Sequence, residues 1–261
     1  MEFCNISPIG NFKIYDTHAH YDDERFDGIL DDLMSELQNR GVDRIINCGC
    51  DLESSKKGLS LAEKYSFVYT AVGIHPCNIA SGTAISDIEN LAKHEKCVAI
   101  GEIGLDYYWK DDNKQEQKQI FINQIELAKK LDLPVIVHDR DAHADTLEIL
   151  KSTKPKGVLH SFSGSVEMAE EILKIGMYLG IGGVITFKNA KKLPEVVEML
   201  PLDRLLLETD APYLTPVPFR GETNHSQMIY LTAEKIAEIK NKSIAEILEI
   251  SYLNAQNLFC A

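Results

Sequence analysis

A closed parallel (β/α)8 barrel is the fold this sequence predicts, on three observations. Short β-branched runs alternate with longer amphipathic ones along the whole chain, the strand-like runs number eight, and no linker or low-complexity segment interrupts them. At 261 residues with 44% apolar content, a single barrel domain over 1–261 fits the length. A doubly wound sheet is the alternative, since periodicity alone cannot close a barrel.

The first strand run, 12–18, leads into Ile29, Leu30, Leu33, Met34 and Leu37 at helical spacing, closed by Gly41 at a position suited to a helix C′ residue. Runs at 43–48, 67–73 and 97–102 follow, and then a helical pattern from about 115 to 131 with Ile120, Phe121, Ile125 and Ala128 on one side. Runs at 134–138 and 157–160 precede a helix that starts after Ser165, an N-cap residue type, and stops at Gly176. The last strand runs are 177–181 and 204–208, and the stretch 226–259 is expected to be helical and to pack outside the barrel.

The formal net charge of −13 argues against broad, nonspecific attraction to nucleic acid, which depends on Lys and Arg neutralising phosphates. A nucleic-acid substrate stays open, because screening over about 10 Å lets a local pocket holding metal ions outweigh the molecular total. No run is long and apolar enough to span a bilayer, and Met1–Pro8 lacks the basic start and apolar stretch of a secretory signal. A cytoplasmic protein without a membrane or obligate protein partner is expected. Its six cysteines do not resemble a disulfide framework, and Cys48 and Cys50, a C-x-C pair with no second pair to complete a thiolate site, read as buried, inert thiols.

The polar residues that can bind metal fall at one kind of place. His18 and His20 end the first strand run and, at i and i+2, share one strand face. His75 follows the third run, Glu102 ends the fourth, His138 the fifth and His160 the sixth, and Asp210 follows the eighth. In a parallel barrel these C-terminal strand ends share one rim, where active sites of the fold are built. Four histidines and two carboxylates exceed what one ion needs, so two ions sharing a carboxylate are expected. Imidazole and carboxylate suit Zn, Mn, Fe, Co or Ni, and the carboxylates also admit Mg.

The segments Asp16-Thr17-His18-Ala19-His20, Gly73-Ile74-His75-Pro76, Gly101 to Tyr107, Pro134 to Ala142, His160 to Gly164 and Leu207 to Tyr213 together resemble the TatD family of metal-dependent deoxyribonucleases, within the amidohydrolase-like barrels. The resemblance implies that His18, His20, Glu102 and Asp210 surround one divalent ion (Mg, Mn or Zn) and that Glu102, His138 and His160 surround a second. Asp210 would orient water or take its proton, with Glu102 bridging. Asp16 and Glu208 each share a strand face with a ligand and are expected to support it. His75 and Arg140 are expected to meet substrate phosphate, and Tyr107, Tyr108 and Trp109 offer a surface on which a nucleobase stacks.

The chain departs from the family where a basic segment usually follows strand eight. Here it reads Arg220-Gly221-Glu222-Thr223-Asn224-His225-Ser226, which loses two cationic positions but keeps Arg220 and Asn224 as candidate substrate contacts. The function so implied is metal-dependent hydrolysis of nucleic-acid phosphodiesters, as an exonuclease on single-stranded DNA or RNA. The alternatives are a two-metal hydrolase of a small-molecule or aminoacyl ester or amide, and a non-catalytic barrel, which would show gaps in the ligand set.

Overall fold

The computed structural model describes residues 12–260; the readings made for Met1–Pro8 and Cys4 lie outside the described residues. Its strands are β1 (Ile14–Ala19), β2 (Val42–Cys48), β3 (Val68–Val72), β4 (Cys97–Asp106), β5 (Val135–Arg140), β6 (Gly157–Leu159), β7 (Tyr178–Ile181) and β8 (Leu205–Leu207). Each pairs in parallel with the next in chain order, as a barrel of βα units requires. The helices are α1 (Leu30–Asn39), α2 (Leu52–Lys64), α3 (Ile85–Leu91), α4 (Lys114–Leu131), α5 (His143–Thr153), α6 (Val166–Ile175), α7 (Leu193–Met199), α8 (Ile229–Lys240) and α9 (Ile244–Phe259). Among the described residues no helix is long and apolar enough to cross a membrane.

Strand side chains alternate between two apolar clusters. One set, including Val42, Ile45, Val135 and Val137, packs against the surrounding helices. The other, including Tyr15, Ile46, Ala71, Val98, Ile136, Val158 and Leu206, fills the barrel and, among the described residues, includes helical side chains from α9 alone, Tyr252, Ala255, Leu258 and Phe259. The final helix therefore does not simply pack outside, as its position in the sequence suggested. It closes the end of the barrel opposite the rim, where its aromatic rings lie 5.9 and 6.3 Å from that of Tyr15.

Between β8 and β1 the ladder gives way to a single bridge, Ala19 to Ala211. Side chains close this seam. Ser251 Oγ accepts from Leu207 N–H at 2.8 Å, Asn254 donates to the Leu205 carbonyl at 2.9 Å, and Thr17 Oγ1 donates to the Leu207 carbonyl at 3.0 Å. Toward the rim, Asp210 N–H donates to His18 O (2.9 Å) and His20 N–H to Ala211 O (2.7 Å), so the seam itself draws residues 18, 20 and 210 together.

One strand boundary differs from expectation. Glu102 does not end β4, which continues to Asp106, and the β4–β5 register breaks between Ile100 and Ile103, the stretch that carries Glu102. Gly104, at φ 144°, lies so close to β5 that a Cβ would stand 2.0 Å from His138 O. Glycine there lets the extended strand run beside the histidine.

Candidate metal centre

Glu102 stands at the centre of a cleft of about 770 Å³ at the C-terminal rim, 4% exposed. Its two oxygens face two different groups. Oε2 lies 3.4 Å from His18 Nε2 and 3.6 Å from His20 Nε2; Asp210 Oδ1 completes that group at 3.5 and 3.4 Å from the same two nitrogens. Oε1 lies 2.8 Å from His138 Nδ1 and 3.0 Å from His160 Nε2, which are 3.4 Å apart. The rings of His18 and His160 stack at 3.9 Å, which sets the two groups side by side.

The outer contacts of these rings fix which nitrogen faces inward. His20 Nδ1 is 2.9 Å from Cys48 O and donates to it, leaving Nε2 as a lone pair. His138 Nε2 is 3.1 Å from Asp106 Oδ2 and donates likewise, so Nδ1, 2.8 Å from Glu102 Oε1, holds the ring's second proton or, in the neutral ring, a lone pair toward Glu102. Burial opposes ionisation of Glu102, but the charge of the imidazoles around it, His160 foremost, outweighs it and holds its carboxyl well below the usual range. Asp210 is held low in the same way, against burial, by His20, His18 and His160.

Ring nitrogens and carboxylate oxygens converging at these distances repel unless a proton or a metal ion lies between them. Donors around an ion at roughly 2.1 Å stand about 3.4 Å apart when tetrahedral, and the Nε2 atoms of His18 and His20, 3.1 Å apart, each lie 3.4–3.6 Å from Glu102 Oε2 and Asp210 Oδ1. The residues present therefore fit divalent metal, and the ligand set shows none of the gaps a non-catalytic barrel would have.

The supporting residues divide differently from expectation. Asp16 is fully buried and accepts from Thr209 N–H (3.0 Å), Thr209 Oγ1 (2.6 Å), Ser226 Oγ (2.7 Å) and His18 N–H (3.3 Å), so it fixes the backbone of the ligand His18 as well as that beside Asp210, without touching a ligand ring. Burial raises its carboxyl to about 7 against those hydrogen bonds. Glu208 accepts from Ser161 N–H at 2.5 Å and lies 3.5 Å from His160 Nδ1. Gly180 leaves it room, since a Cβ there would stand 2.2 Å from Glu208 Oε2.

His75 lines the cleft, and its Nδ1 accepts from Cys77 N–H at 3.1 Å. Burial lowers the imidazole to about 3, so the ring is neutral and carries its proton on Nε2, 3.6 Å from Glu102 Oε1. That nitrogen is a donor, not a ligand. Arg140 is the one Lys or Arg among the described residues lining the cleft, and it stacks on Tyr108 at 4.3 Å. Tyr108 and Trp109 are 55% and 64% exposed at the mouth, whereas the Tyr107 hydroxyl is engaged by Asp145 at 2.7 Å.

Two expected substrate contacts are corrected. Asn224 is buried, and its amide donates to Thr209 O (2.9 Å) and Tyr213 O (2.7 Å), so it ties together the turn that carries Asp210. Arg220 donates to Thr215 O at 2.8 Å, packs 3.9 Å from the Phe187 ring and does not line the cleft.

Sequence reasoning missed Asp106, which lies beyond the expected end of β4, and two buried glutamines seven residues apart on α4. Gln117 exchanges hydrogen bonds with the backbone of Asp106 at 2.9 and 3.0 Å, and Gln124 does so with Ile74, next to His75, at 2.7 and 3.0 Å. Their only signal is a polar residue on an otherwise apolar helix face. Cys50, read as inert, lines the cleft.

The comparisons with known proteins show the family. A family model described as TatD-related DNase matches residues 15–260. An uncharacterized metal-dependent hydrolase of Bacillus subtilis, YabD, is 44% identical over 251 residues, covering 94% of this chain and 98% of the relative. The crystal structure of YjjV, a TatD homologue from Escherichia coli, superposes with a TM-score of 0.90 at 33% identity, over 95% of this chain and 98% of that one.

Proposed function

Because the chain belongs to the TatD-related DNase family and is a metal-dependent hydrolase, we propose that it removes nucleotides from the ends of single-stranded nucleic acid by hydrolysing phosphodiester bonds. The observation that carries the reading is the division of Glu102 between two lone-pair groups. His18, His20, Asp210 and Glu102 Oε2 would hold one divalent ion, and His138, His160 and Glu102 Oε1 a second. Bound there, two such ions supply Lewis-acid charge to a phosphoryl oxygen and make a nearby water more acidic.

The chain's own residues supply the rest. Cys48 O and Asp106 hold the His20 and His138 rings in the tautomers that aim lone pairs inward. Asp210, ionised at neutral pH, orients the attacking water and accepts its proton. His75 Nε2–H donates to a non-bridging phosphoryl oxygen, and Arg140 lines the same cleft. Trp109 and Tyr108 present exposed ring faces on which a terminal base stacks. Ser161 and Ser163 open into an adjoining hollow of about 360 Å³ lined by Lys191 and Lys192, which gives a following phosphate both room and charge.

Asp22, Asp23, Asp51, Asp139 and Asp141 also line the cleft. Their charge favours a second reading, an aminoacyl ester or amide whose ammonium group meets these carboxylates. The two readings separate when end-labelled DNA, RNA and aminoacyl esters are incubated with protein loaded with Mg, Mn or Zn, beside His138→Ala. Shortening of the oligonucleotide by wild type alone supports the nuclease. Ester cleavage with intact oligonucleotide supports the alternative.

A further inference from the structure

We propose that Cys50 supplies a sulfur ligand to an ion it shares with His20 and Glu102, biasing that place in the cleft toward zinc. The inference rests on the metal reading above and adds a donor that the imidazole and carboxylate set lacks. The ligand atoms of His20, Cys50 and Glu102 all lie within 4.8 Å of one another, and Cys50 Sγ is 4.0 Å from Glu102 Oε2, the same oxygen that faces His18 and His20. With a sulfur bond of roughly 2.3 Å and an oxygen bond of roughly 2.1 Å, one ion can reach both atoms.

The thiol is placed by the framework that places Glu102. Cys50 N–H donates to Ser54 Oγ at 2.8 Å, Cys50 O accepts from His75 N–H at 2.9 Å, and the adjacent Gly49 O accepts from Glu102 N–H at 2.8 Å. Residue 50 is thus fixed on both sides of its Cα. Cys48 cannot substitute for it, because its Sγ lies 3.4 Å from His18 Nδ1, the ring nitrogen turned away from the cleft.

Binding would release the thiol proton to solvent as the sulfur–metal bond forms, with no change of oxidation state. Thiolate is a soft donor and favours zinc or cobalt over magnesium and manganese, which prefer oxygen. The Cys50→Ser variant should therefore lower zinc affinity by at least about tenfold while changing manganese affinity by less than about threefold.

Cobalt(II) gives a readout independent of activity, since cobalt–thiolate bonding produces an intense near-ultraviolet charge-transfer band on top of the weak visible bands of bound cobalt. Wild type and a Cys260→Ser control should show the band, and Cys50→Ser should lose it while keeping the visible bands. Visible bands without the charge-transfer band in wild type, or a band that survives in Cys50→Ser, would overturn the assignment while leaving the metal reading intact. No cobalt absorption at all would overturn both. X-ray absorption on zinc-loaded wild type needs no variant: a sulfur neighbour at about 2.3 Å is expected, and nitrogen and oxygen neighbours alone would refute it.

Discussion

His138 Nε2 lies 3.1 Å from Asp106 Oδ2, while the other oxygen of the same carboxylate accepts from Tyr108 N–H at 3.0 Å and Trp109 N–H at 2.8 Å. One side chain thus holds an inward-facing imidazole and the exposed aromatic loop together. Loss of an outer hydrogen-bond partner typically weakens a metal site about 10- to 100-fold. Asp106→Ala is expected to weaken binding of the second ion by that amount, read by calorimetric titration of the apo protein. Unchanged affinity would mean that the His138 ring is held by something else.

Trp109 is the sequence's single tryptophan, so its fluorescence reports the mouth of the cleft alone. A single-stranded oligonucleotide should quench it on binding. Trp109→Ala should cost about 1–3 kcal/mol of binding, the range of base–aromatic stacking, seen as a raised KM with kcat largely kept. An aminoacyl ester that leaves the fluorescence unchanged, beside an oligonucleotide that also does, would place no base on this ring.

Asp210 is half-buried at the cleft and reaches both His18 and His20 through one oxygen. An amide in its place keeps a ligand oxygen but cannot accept a proton at neutral pH. Asp210→Asn should retain metal at raised concentration and lose about 10²- to 10⁴-fold in single-turnover rate. A fully loaded variant at full rate would remove Asp210 from proton transfer.

Burial, with a smaller push from Arg40, lowers the His225 imidazole to about 4 from its ordinary 6.5. Between those values the unfolded chain binds the proton and the folded chain does not, so stability present above pH 6.5 is lost as the pH falls toward 4. The full difference is worth about 3 kcal/mol. Urea unfolding at pH 7 and pH 4.5 should show wild type losing about 2–3 kcal/mol more than His225→Gln on acidification. Equal losses would show that His225 titrates alike in both states.

How much of this was legible in the sequence follows from what each kind of residue signals. The eight strands were readable because β-branched runs bounded by helical patterns are local. The ring of His18, His20, His138, His160 and Asp210 was readable because parallel strands put all their C-terminal ends on one rim. Glu102 was identified but taken for a strand end, since the register break that turns the backbone at Glu102 and the four further residues of β4 carry no compositional mark. Asp106 was hidden for the same reason. Asn224 and Arg220 were misread because a polar residue near a site looks alike whether it faces substrate or satisfies a buried carbonyl. The placement of α9 beneath the barrel depends on the open β8–β1 seam, which only the closed structure reveals.

The account stands on Glu102 serving two ions at once. Metal content after reconstitution and gel filtration tests this directly, by elemental analysis of wild type and Glu102→Ala. About two ions per wild-type chain, falling below about one in the variant, is the expected result. A wild-type chain that saturates at one ion, or a variant that still carries both, would contradict it.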